Sequence, residues 1–263
     1  MGTDQTVYRV ARTRKELEDG FSLVYKEYAS KGYIPKDYKS KLRVSFFNAL
    51  PKTTTFVAVQ DKKVVASVTL IPDSPLGIPM DKLYKAEVDK LRKKGCRVAE
   101  ASQLSIDTKL FGKGFFSMFN FDKLIFIFRL FKLVMDHALS VDGVTDFCIA
   151  INPKQQHLYK FLGFEQIGPL KYYGSVNQAP ALAFRLKLEG LSERMKARGG
   201  VHKIFFGKST DPELFKGKYM MKPEDLKYFF VKKSDLFKKA TRDQMKVIRA
   251  CYPKAKFDKN IER

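Results

Sequence analysis

Residues 100–164 constrain the fold more than any other part of the chain. They contain a polar strand end (100–105), an apolar segment of helical length (123–140) and a buried strand (146–151). A helix between two strands of one sheet predicts a right-handed βαβ unit with parallel strands. Ligands of such units usually bind beyond the carboxyl ends of the strands, so we expect the functional site at that edge.

Charge is the strongest compositional feature. The 263 residues include 50 Lys and Arg against 28 Asp and Glu, which gives a formal net charge of +22. Residues 190–263 hold 20 of the basic side chains and 9 of the acidic ones, so half of the net charge lies in less than a third of the chain. This balance predicts an acidic partner: a nucleic acid, an anionic membrane surface or an acidic carrier protein.

Several classes of site are excluded by motifs that the sequence lacks. It has no P-loop, no His-Glu-x-x-His and no Rossmann glycine fingerprint, so nucleotide hydrolysis and metalloproteolysis are not expected. The three cysteines lie far apart without metal-ligand spacing, so we expect no bound metal and a reducing compartment. No signal segment or spanning helix is recognisable, which predicts a cytoplasmic protein.

The remaining elements predict a mixed α/β chain. Alternating or β-branched runs indicate strands at residues 7–12, 54–60, 64–71 and 179–188. Helices are indicated between Thr13 and Gly32, between Asn152 and Gly163, and at residues 38–50, 81–94, 223–230, 234–240 and 241–251. The crossover helix is apolar nearly all round, so it must be covered by the sheet and also by either the C-terminal segment or a greasy ligand.

Two polar side chains end the first strand of the βαβ unit. Glu100 and Ser102 are two residues apart, so in a strand they point to one face of the sheet. A carboxylate there could accept a proton from an attacking amine, provided that its pKa is not far below the working pH. A salt bridge at the strand edge is the alternative interpretation of Glu100, and Asp107 is a weaker alternative base.

Aromatic side chains cluster in two further places. The loop at residues 111–116 could present its backbone amides and Lys113 to a phosphate group, or its Phe side chains to an acyl chain. The Arg/Gln-x-x-Gly-x-Gly/Ala sequence that cradles the pyrophosphate of coenzyme A is absent, which argues against a free coenzyme A donor. Phe21, Tyr25 and Tyr28 lie on one face of the first helix, either as a core stripe or as the wall of a pocket.

Three motifs in this order resemble a known superfamily. They are Glu100-x-Ser102, Asn152-Pro153-Lys154 and the run from Tyr159 to Glu165. Over roughly residues 5–189 they resemble the GNAT acyltransferases, and more closely the long-chain N-acyl amino acid synthases, which are relatives of the acyl-homoserine-lactone synthases. The resemblance implies an α/β (α+β) fold with a GNAT-like mixed central sheet flanked by helices, in which two parallel strands splay apart near Ser105 and Ile151.

The resemblance also implies a division of the chain. We expect a GNAT-like acyltransferase domain over residues 1–189. Residues 190–263 are then a basic, mainly helical C-terminal extension that packs on this domain.

Roles for single residues follow from the same resemblance. Glu100 is expected to orient the amine and accept its proton, with Ser102 beside it, while Tyr159 faces the thioester sulfur. The expected donor-binding residues are Gln103, Leu104, Ser105, Lys113, Gly114 and Asn152. The expected acyl and acceptor pocket is formed by Phe21, Tyr25, Tyr28, Phe115, Phe116 and Phe119.

The implied reaction is N-acyl transfer without a bound cofactor. A long-chain fatty acyl group passes from the 4'-phosphopantetheine thioester of an acidic acyl carrier protein to the α-amine of an amino acid, by direct attack and without an acyl-enzyme. The basic surface would steer the carrier protein to the enzyme. A coenzyme A-dependent acetyltransferase of a small amine or protein, a basic nucleic-acid-binding protein without a recognisable motif, and a peripheral membrane contact stay open as alternatives.

Overall fold

A mixed sheet of eight strands lies at the centre of the described chain. The structure, a computed structural model, describes residues 6–36, 40–107, 109, 121–255 and 257. The strands are β1 (Val7–Val10), β2 (Thr54–Gln60), β3 (Lys63–Pro72), β4 (Val98–Ile106), β5 (Asp146–Ile151), β6 (Glu165–Gln166), β7 (Lys171–Tyr173) and β8 (Ala179–Lys187). Their order is β1-β2-β3-β4-β5-β8-β6, and β7 pairs with β8 outside this path. Only the β4–β5 pair is parallel among the described pairings.

Helices flank this sheet, which confirms the predicted mixed α/β architecture. They are α1 (Arg14–Ser30), α2 (Asp81–Lys93), α3 (Phe121–His137), α4 (Gln156–Phe161), α5 (Leu191–Met195), α6 (Gly200–Phe206), α7 (Pro223–Lys227) and α8 (Arg242–Cys251). α1 begins at the predicted residue, where the Thr13 hydroxyl accepts the N–H of Glu16 at 3.2 Å. In the described chain, no helix combines the length and the apolar character needed to cross a membrane.

β4 and β5 are the parallel strands of the predicted βαβ unit, and they separate along their length. Their backbones pair only over residues 98–100 and 146–148. Beyond these pairs β4 continues to Ile106 and β5 to Ile151, with no pairing between them. Peptide groups on the facing edges therefore need other partners. The structure confirms the predicted splay and creates an open notch at the carboxyl ends of both strands.

A bulge lies in β4 at the notch. Gln103 and Leu104 together lie opposite the single residue Val68 of β3. Gln103 has a φ of +56°, in the left-handed region that residues other than glycine rarely adopt. A bulge of this kind bends the strand and changes which side chains share a face.

The crossover helix α3 is covered by protein. Leu130 and Val134 are fully buried in the main core beneath the sheet. α6 covers a further part of α3, with the rings of Phe128 and Phe205 5.9 Å apart and the Lys132 ammonium donating to the Phe205 carbonyl at 2.9 Å. α6 belongs to the C-terminal segment, which was one of the two covers expected from the sequence.

A second core joins the C-terminal segment to α1. Phe229 meets Phe21 edge to face, with ring centroids 5.5 Å apart. Phe237 stacks on Phe230 at 4.9 Å and contacts Phe46 at 5.6 Å. These contacts bring Leu236, Lys239 and Gln244 to the notch, while the division of the chain after residue 189 stays a prediction.

The helix predicted at residues 38–50 is wrong over its described part. Residues 40–45 are irregular, and only Phe46–Ala49 form a 3-10 turn. The side-chain oxygen of Asn48 accepts the backbone N–H of Ser45 at 2.7 Å. This local side-chain bond competes with helix formation and fixes the turn.

One prediction for the C-terminal segment is also wrong, and two of its helices were missed. Residues 236–239 form a turn and the rest of 234–240 is irregular; the Phe237 N–H donates to the Phe230 carbonyl at 3.1 Å, a partner too distant in sequence for a helix. The helices α5 and α6 were not predicted. Each has seven residues or fewer, and helices this short depend on tertiary packing that local sequence patterns do not reveal.

Candidate active site

A cavity of about 500 Å³ opens at the notch between β4 and β5. Six parts of the described chain contribute side chains to its wall. They are β4 (Glu100, Ser102, Gln103), the end of β5 (Ala150, Ile151, Asn152), the end of α1 and the following turn (Tyr28, Tyr33, Arg43 to Phe47), the region around β7 and β8 (Tyr173, Val176, Ala179 to Ala181) and the C-terminal segment (Leu236, Lys239, Gln244), with Pro79 and Lys82 at the start of α2.

Glu100 is the buried acid of this cavity. Its side chain is 4% exposed, and one carboxyl oxygen accepts the N–H of Met80, just before α2, at 2.6 Å. Burial raises the pKa of Glu100 to about 8. The Met80 amide and the Ser102 hydroxyl oppose this rise because they stabilise the charged form, and the nearby Asp81 adds to it.

The environment of Glu100 suits a general base. Among the described residues, no ion pair includes Glu100, and no basic side chain is a cause of its pKa shift, so this part of the chain offers no partner for the alternative interpretation as a salt bridge. A carboxyl group with a pKa near 8 can take up and release a proton near neutral pH. Asp107, the alternative base, does not line the cavity; its side chain accepts the N–H of Lys109 at 3.0 Å.

Gln103 lies in the cavity wall because of the bulge. Its side-chain oxygen accepts a hydrogen bond from the Asn48 amide at 3.2 Å, and both side chains are buried. The side-chain oxygen of Asn48 accepts a hydrogen bond from the Ser45 hydroxyl at 2.9 Å. The 3-10 turn at residues 46–49 is thereby bonded to the bulge and helps to hold its unusual backbone conformation.

The other predicted donor-binding residues divide into two groups. Ser105 bonds to the Ser67 hydroxyl at 3.0 Å, and Leu104 packs against the main core, so neither lines the cavity. Asn152 does line it, and its side-chain N–H donates to the Tyr33 hydroxyl at 3.3 Å.

The aromatic face of α1 also divides. Tyr28 lines the cavity, as expected. Phe21 is instead 1% exposed and packs against Phe229 in the second core. Tyr25 is buried, and its hydroxyl donates to the Lys36 carbonyl at 2.5 Å. The core-stripe interpretation therefore fits Phe21, and the pocket interpretation fits Tyr28.

Tyr159 is buried behind the cavity wall. Its ring lies 6.2 Å from that of Phe131 and 5.4 Å from that of Phe164, and it is not among the lining residues. Burial raises the pKa of Tyr159 to about 12, with a smaller contribution from Tyr28. The phenol is thus protonated at ordinary pH, and its predicted contact with the thioester sulfur stays a prediction.

Five predicted site residues lie outside the described part of the chain. They are Lys113, Gly114, Phe115, Phe116 and Phe119.

Comparison with protein families gives a match that spans the cavity-forming strands. The family model of the N-acyl amino acid synthase FeeM matches residues 19–187. The chain belongs to this family. The match confirms the relationship inferred from the three sequence motifs.

Solved structures agree with the family match. The N-acyl amino acid synthase FeeM from uncultured soil microbes is 30% identical, with 73% of this chain and 94% of that chain covered and a TM-score of 0.61. The acyl-homoserine-lactone synthase LasI (12% identity, coverage 79% and 98%, TM-score 0.54) and the coenzyme A-dependent synthase BjaI (14% identity, coverage 73% and 90%, TM-score 0.51) share the fold. The predicted GNAT-like fold is confirmed. No curated protein matches the chain.

The FeeM-family match ends at residue 187, but the cavity wall does not. Leu236, Lys239 and Gln244 contribute to it from the C-terminal segment. The C-terminal segment was predicted to pack on the acyltransferase domain, but no local pattern could tell which of its side chains line the cavity. Arg43 was also missed, since it lies in the segment wrongly predicted as helical.

Proposed function

We propose that this member of the FeeM family transfers a long-chain fatty acyl group from an acyl carrier protein thioester to the α-amine of a free amino acid. The observation that carries the proposal is the buried Glu100 in the notch, with a pKa raised to about 8. A cytoplasmic location, where acyl carrier protein and amino acids are both present, is part of the same proposal.

The proposed reaction is a direct attack. The amine nitrogen attacks the thioester carbonyl carbon, a C–N bond forms, and Glu100 takes the proton that the nitrogen loses. The tetrahedral intermediate then collapses, the C–S bond breaks, and the pantetheine leaves as a thiolate that regains a proton from Glu100 or from solvent. No step needs an acyl-enzyme or a bound cofactor.

The splay of β4 and β5 supports this assignment of the donor site. Peptide groups of β4 beyond Glu100 have no partner on β5. A pantetheine arm carries two amide groups and could pair with this free edge as an added strand does. An unpaired peptide N–H at the same edge is suited to stabilise the oxyanion of the tetrahedral intermediate.

The nature of the donor rests on charge. A net charge of +22 favours an acidic carrier protein over a small thioester. BjaI, which shares the fold, is a coenzyme A-dependent synthase, so this fold also occurs in an enzyme that depends on coenzyme A. The carrier-protein donor is therefore the part of the proposal that most needs a direct assay.

The assay compares two donors that carry the same acyl chain. Purified protein is given acyl carrier protein or coenzyme A loaded with one long-chain acyl group, together with a mixture of the twenty amino acids, and products are identified by mass spectrometry. We expect an N-acyl amino acid, with kcat/KM at least tenfold higher for the carrier protein. Glu100→Gln should lose activity and Asp107→Asn, a matched carboxylate change outside the cavity, should keep it.

Three outcomes contradict parts of this proposal. Equal or better use of the coenzyme A thioester would reject the carrier-protein donor. Transfer of only short acyl groups would favour the acetyltransferase alternative. Tight, salt-sensitive binding of nucleic acid without acyl transfer would favour the nucleic-acid-binding alternative.

A further inference from the structure

The cavity around Glu100 has a strongly positive wall. Of the described lining residues, Arg43, Lys82 and Lys239 are basic and Glu100 is the acid. The pKa of Glu100 is raised to about 8, so the acid is largely neutral at pH 7. A half-enclosed site with this balance of charge is suited to a ligand that carries a negative group.

The three basic side chains are not equivalent. Lys82 is exposed at the start of α2, where solvent weakens its interactions. Lys239 forms an ion pair with Asp235 at 2.5 Å. Arg43 is half-buried, and the arginines with ion pairs in the described chain are Arg9, Arg14, Arg92 and Arg185. Arg43 is therefore the lining cation whose contacts leave it free for an anionic ligand.

The backbone holds Arg43 in place. Its N–H donates to the Phe21 carbonyl at 3.0 Å, and its neighbours Leu42 and Val44 are each 5% exposed. The side chain emerges from this fixed position beside Tyr28, with the guanidinium carbon 5.9 Å from the ring centroid. A guanidinium presented in this way can bind a carboxylate through two parallel hydrogen bonds.

Tyr28 lies in the cavity wall with Arg43 and Glu100. Burial raises the pKa of Tyr28, and the charges of Arg43 and Glu100 act on it in opposite directions. All three side chains line the one cavity. An α-amino acid carries its amine and its carboxylate on the same carbon, so one molecule could reach a base and a cation placed in this way.

We propose that Arg43 binds the carboxylate of the acceptor amino acid while Glu100 receives the proton of its amine. The inference rests on the function proposed above and deepens it, because it makes Arg43 the residue that selects amino acids over simple amines. The same guanidinium chemistry would also suit the phosphate of the donor's pantetheine arm, so the experiment must separate the two anions.

The experiment compares an amino acid with its carboxamide as acceptor. The amino acid is the one that the product assay identifies, and kcat/KM is measured for both acceptors at saturating donor, with wild-type protein, Arg43→Gln and Arg43→Lys. Arg242→Gln is the matched control, because Arg242 is an exposed arginine of the same protein outside the cavity. The donor KM is measured for each variant. The comparison is made between variants, so the different amine pKa values of the two acceptors cancel.

The expected result is specific to the carboxylate. Arg43→Gln should lower kcat/KM for the amino acid about 10- to 100-fold, the range of a charge-assisted hydrogen bond, and leave the carboxamide and the donor KM nearly unchanged. Arg43→Lys keeps the charge but loses the planar fork of the guanidinium, so its kcat/KM for the amino acid should lie between those of the wild type and Arg43→Gln. Arg242→Gln should match the wild type.

Contrary outcomes are distinguishable from one another. A higher donor KM with an unchanged preference between the acceptors would assign Arg43 to the donor phosphate and overturn the inference. Unchanged kinetics in Arg43→Gln would overturn it as well. If the wild-type protein acylates no amino acid, the proposed function itself fails. Should Arg43→Gln melt at a much lower temperature, Arg43→Lys carries the test, and an unchanged preference in that variant would contradict bidentate binding.

Discussion

The pH dependence of acyl transfer tests the role of Glu100 in depth. Burial raises its pKa to about 8, and only the ionised carboxylate accepts a proton, so activity should rise with pH. For a single group with a pKa of about 8, the ionised fraction is about 1% at pH 6, about 9% at pH 7 and about 50% at pH 8. Once the ionisation of the acceptor amine is divided out, kcat/KM should therefore increase about fiftyfold from pH 6 to pH 8 and then level off.

The variant Glu100→Gln separates this titration from that of the acceptor amine, which also loses a proton as the pH rises. A glutamine keeps an oxygen that can accept the Met80 N–H, so the local structure is retained. We expect kcat/KM to fall about 10²- to 10⁴-fold at pH 8, the usual range for a general base. The remaining rate should follow the amine alone, without an inflection near pH 8.

The assay measures initial rates from pH 6 to pH 9.5 at constant ionic strength, with saturating donor and varied acceptor, since kcat/KM for the acceptor then reports ionisations of the enzyme–donor complex and of the free acceptor. Asp107→Asn should reproduce the wild-type profile. A wild-type profile without an inflection near pH 8, or a Glu100→Gln variant with the wild-type profile, would refute the assignment of Glu100 as base.

Three further predictions concern stability and association. Because the pKa of Glu100 is raised on folding, its ionisation between about pH 4.5 and pH 8 opposes folding. Thermal melts should therefore show that Glu100→Gln is more stable than the wild type at pH 8, by up to about 4 kcal/mol, and equally stable at pH 4. A difference in stability that does not change with pH would contradict this prediction. Raising NaCl from 50 to 300 mM should lower kcat/KM several-fold for an acyl carrier protein donor and leave kcat/KM for an acyl-pantetheine donor unchanged. Equal salt effects on the two donors would argue against charge steering. Phe237→Ala removes the ring between Phe230 and Phe46, so it should lower the free energy of unfolding, measured in urea, by about 3 kcal/mol. The variant should also have a higher KM for the acceptor. An unchanged KM would show that the wall formed by the C-terminal segment does not contribute to binding.

Strand periodicity is the part of the site that the sequence predicts well. Glu100 and Ser102 were expected on one face because side chains alternate along a strand, and both line the cavity. The alternation fails one residue later. The bulge inserts an extra residue, so Gln103 joins the cavity wall while Leu104 and Ser105 pack elsewhere, and no local pattern marks the residue at which a bulge occurs.

Contacts distant in sequence account for the rest. The cavity wall brings Leu236 and Gln244 next to residues more than 130 positions earlier, through aromatic stacking in the second core. The sequence predicted helices in this segment and that it packs on the domain, but a prediction of burial does not name a partner. Arg43 was missed for a related reason: its position follows from the Phe21 carbonyl and the Asn48 turn, neither of which has a recognisable sequence signature.

The most direct measurement of the central claim is mass spectrometry of lipids extracted from bacteria that express this chain, with Glu100→Gln and an empty vector as controls. The account predicts a ladder of new lipids spaced by two methylenes that all fragment to one amino acid, present with the wild type and nearly absent with Glu100→Gln. An identical ladder from the variant would contradict the role of Glu100, and the absence of new N-acyl amino acids both in cells and with purified protein and loaded carrier would contradict the function itself.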